Sequence, residues 1–309
     1  MSVLSKPYFH DEEAAFKHLE SVLWPVAPIC PHCGSVNARH YDLRKTRVGL
    51  RKCCERACRK QFTVRVGTVF ESAHIPLHKT LQAVYLMCSS KKGVSAHQIH
   101  RILGVTYKTA WFLCHRIREA LRFGDLAPMG GAGEIVEVDE TFIGRKKGVE
   151  IKQGVGHKHA VLTLVERNGE ARSLHVESIK KEDVLPIVRA NLYRESYVMT
   201  DEAARYAQLG NEFANHGSVD HSREEYGYID RKTGVYINTN TIEGFYSIFK
   251  RGMKGVYQHC GEQHLHRYLA EFDFRYNNRS ALGVEDQERA VRALAGIQGK
   301  RLTYQTTGH

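Results

Sequence analysis

Three acidic residues in the C-terminal half of the chain have types and positions that suit phosphoryl-transfer chemistry. Asp139 lies near the centre of a predicted strand, Asp201 follows a second predicted strand, and Glu243 lies at the start of a predicted helix. Carboxylate oxygens are preferred ligands of Mg²⁺, and two such ions about 3.5–4 Å apart stabilise both reacting oxygens of an in-line displacement. We therefore expect two Mg²⁺ (or Mn²⁺) ions, with Asp139 bridging both, Asp201 on one and Glu243 on the other.

Two basic residues follow on the helix that carries Glu243. Lys250 lies seven residues after Glu243, which is two helical turns, so the two side chains share a face. We predict that Lys250, as part of the catalytic group, and Arg251 hold a phosphodiester backbone beside the metal ions. Other side chains compete for these roles or add to them. The competing acids are Glu137, Glu140 and Glu202, and the additional candidates are Asp220 and His221.

Five of the eight cysteines form two groups near the N-terminus. Cys30 and Cys33 make a C-x2-C pair, and Cys53, Cys54 and Cys58 make an irregular second group. Two such pairs are typical of a closed, structural zinc site of the ribbon type, whereas disulfides are disfavoured without a secretion signal. We predict zinc ligation by Cys30, Cys33, Cys54 and Cys58, with Cys53 as the alternative to Cys54. The other three lie in apolar patterns and are predicted to be buried thiols: Cys88, Cys114 and Cys260.

Positive charge is concentrated in one part of the chain. The net charge is +11, but residues 30–124 alone hold 18 basic and four acidic residues, a net charge of +14. Residues 1–29 carry a net charge of −2 and residues 125–309 a net charge of −1. A local basic block beside a near-neutral remainder indicates a nucleic-acid-binding module joined to a second functional unit. A surface that only improves solubility would spread the charge.

The apolar spacing becomes helical within the basic block. Helices are predicted over residues 78–90, 95–103 and 107–122, with a short turn of residues 104–106 before the last. Helix, short glycine-containing turn and helix form the helix-turn-helix layout, although an ordinary helical hairpin has the same pattern. In the first interpretation, the start of the last helix contacts DNA and nearby arginines bind phosphates. The DNA-contacting candidates are Tyr107, Lys108 and Thr109, and the phosphate-binding candidates are Arg101, Arg116, Arg118 and Arg122.

Beyond the glycine-rich segment 128–133, the pattern changes to alternating strands and helices. Asn168 and Gly169 predict a hairpin turn, and the segment from Gly217 to Tyr236 is polar. The predicted strands cover residues 134–143, 159–166, 170–178 and 196–200, and the predicted helices cover 181–192 and begin again at 239. The predicted domains are 1–72 (N-terminal helix and zinc ribbon), 73–127 (helix-turn-helix), 128–280 (α/β catalytic domain) and 281–309 (C-terminal tail).

Composition excludes several classes of protein. Of the 309 residues, 42% are hydrophobic and 26% charged, which is ordinary for folded domains and excludes dominant disorder. No apolar run approaches the ~20 residues of a membrane-spanning helix. The N-terminus lacks a basic segment followed by an apolar stretch, so no secretion signal is expected. These observations lead us to expect a cytoplasmic protein.

Several motifs of this chain resemble one known family. The order of the cysteine pairs and of seven longer motifs is similar to that of bacterial insertion-sequence transposases with an N-terminal zinc ribbon, the fifteen-ninety-five (ISXO-like) family. Three of the motifs contain Asp139, Asp201 and Glu243. The seven motifs are Arg59–Val64, Gly67–Glu71, Gly104–Trp111, Val138–Gly144, Thr200–Glu202, Asn240–Gly252 and Arg267–Arg279.

The resemblance implies a fold and a function. The fold is an RNase H-like (integrase-type) α/β catalytic domain with a DDE triad of Asp139, Asp201 and Glu243, assisted by Lys250. The function is DNA transposition, with metal-dependent cleavage and strand transfer at the terminal inverted repeats of a mobile element. Double-stranded DNA, at the repeats and at the target, and further copies of the chain are the expected partners, in the bacterial nucleoid. A nuclease without strand transfer and a non-catalytic DNA-binding regulator remain the alternatives.

Overall fold

The computed structural model describes residues 2–122, 124, 126–201, 204–220 and 227–303. Chain contacts divide the protein into two compact units, one of Met1–Arg122 with Val284–His309 and the other of Phe123–Gly283. We call them the terminal unit and the central unit. The segment after Gly283, which we expected to be a tail, therefore belongs to the terminal unit by its contacts.

The terminal unit combines short strands with helices. A three-stranded antiparallel sheet in the order β1-β2-β3 lies in the N-terminal segment. In both units, no described helix has the length and apolar character needed to cross a bilayer. The elements of the terminal unit are α1 (Glu12–Leu23), β1 (Tyr41–Asp42), β2 (Arg51–Lys52), β3 (Gln61–Phe62), α2 (Leu77–Ser89), α3 (Ala96–Leu103), α4 (Tyr107–Ala120) and α8 (Asp286–Ala295).

Local sequence explains where α3 and α4 begin and end. Ser95 and Gln98 form a capping box at the start of α3, which satisfies backbone N–H groups that have no partner inside the helix. Gly104 ends α3 with φ +61°, a conformation that glycine adopts without strain. Thr106 then caps α4 by accepting a hydrogen bond from the backbone N–H of Thr109 at 3.2 Å. The predicted helix, turn and helix over residues 95–122 are thus observed, with α4 two residues shorter.

The C-terminal helix α8 is part of the core of the terminal unit. It packs against α1, α2 and α4. Nη1 of Arg289 donates a hydrogen bond to the backbone carbonyl of Cys88 at 3.0 Å. After the helix, Gln298 pairs with Thr68 in an antiparallel bridge. Because these contacts join segments far apart in the sequence, the local periodicity of the chain does not predict them.

The central unit contains a mixed five-stranded sheet in the order β6-β5-β4-β7-β8. β4 pairs antiparallel with β5, and β5 with β6, whereas β4 with β7 and β7 with β8 are parallel. A separate antiparallel hairpin joins β9 and β10. The elements are β4 (Ile135–Ile143), β5 (His159–Glu166), β6 (Ala171–Val176), α5 (Lys181–Asn191), β7 (Tyr197–Asp201), β8 (Asn215–Val219), β9 (Tyr228–Ile229), β10 (Tyr236–Ile237), α6 (Asn240–Gly252), a π-helical turn (Met253–Tyr257) and α7 (Glu262–Asn277).

Both faces of this sheet are covered by helices. Val138 of β4 lies in a core cluster with Val184 of α5 on one face. Val161 of β5 lies in another cluster with Phe249 of α6 and Leu269 of α7 on the opposite face. Burial on both faces explains why β5 is an almost continuous apolar run rather than an alternating one. The central unit is therefore a layered α/β structure.

Two side chains of α7 hydrogen-bond to the outer edge of β6. Asp273 accepts from the backbone N–H of Ser173 at 2.8 Å. Asn277 accepts from the backbone N–H of Ala171 at 2.7 Å and donates to its carbonyl at 2.9 Å. Residues two apart on a strand are separated by ~6.6 Å and residues four apart on a helix by ~6 Å. Because the two spacings match, side chains on one face of α7 can hydrogen-bond to both strand positions.

Candidate functional sites

The two cysteine groups converge in the terminal unit. Sγ of Cys30 lies 3.7 Å from Sγ of Cys58, and Sγ of Cys33 lies 3.7 Å from Sγ of Cys53. All four sulfur atoms lie within 4.8 Å of one another. A tetrahedral zinc ion with Zn–S bonds of about 2.3 Å separates its sulfur ligands by about 3.8 Å. The four thiols therefore fit one closed zinc site.

Cys54 lies outside this cluster, which corrects the predicted ligand set. Its Sγ contacts the Glu55 carboxylate at 3.7 Å, and its backbone N–H donates to Nδ1 of His40 at 3.2 Å. Cys53 is fully buried and takes the predicted place of Cys54. Adjacent residues at the end of a strand point to opposite sides, so only one of the two can face the other thiols. The cluster consists of Cys30, Cys33, Cys53 and Cys58.

Asp139 and Asp201 lie on neighbouring parallel strands. Ile135 of β4 pairs with Tyr197 of β7, and the same register continued along both strands sets Asp139 beside Asp201. Side chains alternate along a strand, so Asp139 shares a face with Ile143, which packs with α6 and α7. Both acids therefore lie on the face of the sheet that carries α6.

One face of α6 is turned toward Asp139. Tyr246, on this helix, donates its hydroxyl to the backbone carbonyl of Asp139 at 2.6 Å. Glu243 and Lys250 lie three residues before and four residues after Tyr246, so all three share this face. Nζ of Lys250 lies 5.6 Å from the centroid of the Tyr246 ring. Both charged side chains are exposed, as is Arg251, and Glu243 also accepts a hydrogen bond from Thr239 at 3.2 Å.

The electrostatic environment of Asp139 is unusual for a carboxylate. Burial raises its pKa to about 7, and the neighbouring charges of Glu140 and Asp201 add to this effect. A backbone hydrogen bond from Glu140 and the positive charge of Lys250 oppose it. A carboxylate in this setting is incompletely compensated by the protein. The site therefore favours a cation beside Asp139, consistent with a metal-binding role.

The two neighbouring acids on β4 already have protein partners. Glu140 accepts two hydrogen bonds from Arg205, both at 2.9 Å, and another from Tyr206. Glu137 is fully buried and accepts from Nε of Arg167 at 2.8 Å and from the backbone N–H at residue 242 at 2.9 Å. These partners are distant in the sequence, and no local signal identifies them. Glu137 and Glu140 are therefore structural, which removes two competitors of Asp139.

The remaining acidic-site candidates lie beyond Asp201 and β8. Glu202 and His221 fall outside the described residues. Asp220 directly follows β8 and is 9% exposed. Because Asp201 pairs with Val219, Asp220 lies at the same end of the sheet as Asp201. Asp220 is therefore a neighbour, in the fold, of the acidic group formed by Asp139, Asp201 and Glu243.

The predicted DNA-contacting residues at the start of α4 are accessible. Tyr107 is 43% exposed and stacks on His97 with ring centroids 4.3 Å apart. Lys108 and Thr109 are exposed as well. Together with Arg116, they line a cavity of about 250 Å³ beside residues 72–75. The start of α4 thus offers polar and cationic groups at the surface.

The arginines proposed to bind phosphate differ in exposure. Arg116 is 8% exposed, and its guanidinium lies 4.7 Å from the centroid of the Phe112 ring. Arg118 is 2% exposed. Such burial argues against direct phosphate contacts by these two side chains. Arg101 and Arg122 are exposed, and phosphate binding by these two residues stays a prediction.

Comparison with known families finds two matching models, both described as domains of transposases. Residues 131–277 match the family described as the ISXO2-like transposase domain, and residues 10–61 match the one described as the transposase zinc-ribbon domain. The chain therefore contains a region similar to the ISXO2-like transposase domain, preceded by a region similar to the transposase zinc ribbon. The resemblance in the motifs is thereby confirmed.

Other comparisons give little further information. A search among the curated proteins finds no match. One similar solved chain comes from the structure titled "CryoEM structure of simian T-cell lymphotropic virus intasome in complex with PP2A regulatory subunit B56 gamma". The match has 15% identity and a TM-score of 0.29, and covers 57% of this chain and 63% of that chain. At such a score, the likeness supports no argument about this protein.

Proposed function

We propose that this protein is the DNA transposase of an insertion sequence, acting through a DDE triad of Asp139, Asp201 and Glu243. The observation that carries the proposal is the convergence of Asp139 and Asp201 on adjacent parallel strands, under the helix face that presents Glu243. An RNase H-like fold is supported by the sheet, in which three antiparallel strands are continued by two parallel ones. The family matches support the transposase class.

The acidic group fits Mg²⁺ or Mn²⁺. Its donors are carboxylate oxygens, which suit hard divalent ions, and the raised pKa of Asp139 marks a place where positive charge is lacking. When bound, two such ions supply an activated nucleophile and stabilise charge on the leaving oxygen. Asp139, Asp201 and Glu243 would hold these ions.

Other residues of the central unit would position the DNA. Lys250 and Arg251 are exposed on α6, and the charge of Lys250 acts on Asp139. Their positive charges would attract a phosphodiester backbone. Tyr246 is buried and ties α6 to β4 at Asp139, so it acts as a positioning residue. The helix would then hold Glu243 and the basic residues over the face of the sheet on which Asp139 and Asp201 lie.

The reaction would proceed in two displacements at phosphorus. Water attacks a phosphodiester at the end of the element, and the broken P–O3′ bond leaves a 3′-hydroxyl. That hydroxyl then attacks a target phosphodiester, so one P–O bond forms as one breaks. No covalent protein–DNA intermediate is required.

The terminal unit would recognise the inverted repeats. Its basic block has a net charge of +14, which supplies the non-specific attraction to phosphates. The α3-turn-α4 segment presents Tyr107, Lys108 and Thr109 at the start of its second helix, the position from which a helix-turn-helix contacts base edges. Two element ends must be held together for transfer, so a homo-oligomer on DNA is expected.

Strand transfer by the purified full chain tests this proposal. A pre-cleaved element end with a free 3′-hydroxyl is supplied with target DNA and Mg²⁺, and joined products are measured. We expect joining by the wild type, none by Glu243→Gln, and normal joining by Glu182→Gln, a matched exposed glutamate in the first turn of α5. Cleavage without joining would favour the nuclease, and DNA binding without either reaction would favour the regulator.

A further inference from the structure

A second group of metal-ligating side chains lies in the central unit, apart from the DDE acids. His159 begins β5, His175 lies near the end of β6, and Glu262 is the first residue of α7. Nδ1 of His159 is 3.7 Å and Nε2 of His175 is 4.0 Å from the same Glu262 oxygen, Oε1. The three ligand atoms lie within 4.8 Å of one another.

The two imidazole nitrogens that face Glu262 have no hydrogen-bond partner among the described residues. His159 is 3% exposed, so water cannot freely satisfy its ring. A buried polar atom without a partner costs free energy, and native structures rarely leave one unexplained. Since two such atoms point at one carboxylate oxygen, a shared cation between them is the simplest explanation.

We propose that His159, His175 and Glu262 bind one Zn²⁺ ion. Two imidazoles and one carboxylate form a ligand set that suits zinc, whereas Mg²⁺ prefers oxygen ligands alone. Ligands about 2.0–2.1 Å from a tetrahedral ion lie roughly 3.4 Å apart. The observed separations exceed this by a few tenths of an ångström. The Glu262 side chain is 56% exposed, so it can move by that amount.

The position of the site would let bound zinc link separate elements of the fold while one coordination place stays open. The site joins β5, β6 and the start of α7, three elements that are separate in sequence. A cavity of about 280 Å³ adjoins His159 and is also lined by Lys158, Lys254 and Cys260. Three protein ligands leave the fourth position of zinc to water.

This site is distinct from the acidic group. Ile143 of β4 pairs with His159, whereas Asp139 pairs with Thr163. The two positions are thus four residues apart along the strands, or ~13 Å. Zinc bound here would link the β5–β6 hairpin to α7 without occupying the positions proposed for the catalytic ions. The proposal therefore does not depend on the transposase activity.

Zinc content of the full-length protein tests the proposal. Protein is loaded with Zn²⁺ in millimolar Mg²⁺, which occupies the acidic group, then desalted and analysed for metal per chain. His175→Gln and Glu262→Gln should each bind one zinc ion fewer than the wild type. His266→Gln, an exposed histidine on α7 outside the cluster, should bind the wild-type amount, as should Glu243→Gln.

Cobalt substitution separates this site from the cysteine cluster. In the Co²⁺-loaded protein, thiolate-to-cobalt charge-transfer absorption reports the cysteines alone. His175→Gln should lose one cobalt ion and leave that absorption unchanged, with the circular dichroism of the wild type. Wild-type zinc content in both His175→Gln and Glu262→Gln would overturn the proposal. So would a loss of metal that always accompanies loss of the thiolate absorption.

Discussion

The cysteine cluster and the acidic group are both places where this chain gathers metal-ligating side chains, but they do so differently. The four thiols of the ribbon are already within 4.8 Å of one another. The three acids are not among the described groups that meet this distance. They lie instead on three separate elements, β4, β7 and α6.

On the proposed function, the difference separates a site that stabilises a fold from one that would act on a substrate. A closed ligand shell contributes the binding energy of its metal to folding. An open group of carboxylates keeps positions for water and phosphate, and its mutual repulsion costs stability until cations arrive. The predictions that follow test this contrast, beginning with the largest expected effect.

Asp139→Asn should abolish DNA cleavage. Loss of a carboxylate that would hold the proposed ions would remove several kcal/mol of transition-state stabilisation, so the rate should fall by about 10³-fold or more. Cleavage of a labelled inverted-repeat DNA measures the effect. Affinity for the same DNA should stay unchanged, because the proposed recognition surface lies in the terminal unit. Cleavage at more than about a tenth of the wild-type rate would remove Asp139 from the site.

Cys53→Ser should release zinc from the ribbon, whereas Cys54→Ser should not. Only Cys53 belongs to the four-thiol cluster, and loss of a ligand should lower the free energy of unfolding of the ribbon by roughly 3 kcal/mol or more. Zinc content and thermal melting of the two variants measure the difference. The adjacent serine variant is the matched control. Equal zinc loss in both would contradict the corrected ligand set.

Asp139→Asn should stabilise the metal-free protein at high pH. The pKa of this carboxyl is about 7 when folded, against an ordinary value of 3.8. The folded state therefore binds more protons between these values, and stability falls as pH rises through that window. At pH 8 the variant should gain about 2 kcal/mol, half of the roughly 4 kcal/mol that the full shift represents.

Chemical denaturation of both proteins at pH 5 and pH 8 with a chelator measures this gain. A smaller difference is expected at pH 5, because the folded carboxyl is still mostly protonated there while that of the unfolded chain is already ionised. Adding Mg²⁺ at pH 8 should stabilise the wild type more than the variant, because only the wild type has the complete acidic group. A variant that is less stable at pH 8 without metal would contradict the assigned electrostatics.

Lys108→Ala should weaken DNA binding modestly. Removing one phosphate-contacting cation lowers the slope of log affinity against log salt by about 1, with an affinity loss of roughly 3- to 10-fold at moderate salt. Binding isotherms at several salt concentrations provide the measurement. Lys17→Ala, an exposed lysine of α1 paired with Glu13 at 3.0 Å, is the control. Identical slopes for both variants would exclude Lys108 from the interface.

Local patterns in the sequence predict most elements of the central unit. The strand β4, the turn at Asn168 (φ +60°) and the strand β5 appear as expected. β8 was not predicted, because its sequence is polar and contains Gly217. In the structure a Cβ on Gly217 would meet the Ile237 side chain at 2.6 Å. Close packing therefore explains this glycine, which in the sequence suggests a loop.

The site was only partly predictable, for a physical reason. Residue type and spacing are enough to propose Asp139 and the zinc ribbon, since ligand chemistry is local. The choice between Cys53 and Cys54 depends on which side of a strand end faces the other thiols. The pairing of Glu140 with Arg205 depends on a contact 65 residues away in sequence. Neither follows from periodicity.

The hydrogen bonds from α7 to β6 have a consequence for association between molecules. An outer strand with free backbone groups can pair with a strand of another chain and start aggregation. Asp273 and Asn277 occupy the outward groups of Ser173 and Ala171, so this edge is not available as a template. These hydrogen bonds therefore protect the protein from sheet extension at β6, and the homo-oligomer proposed on DNA would form through other surfaces.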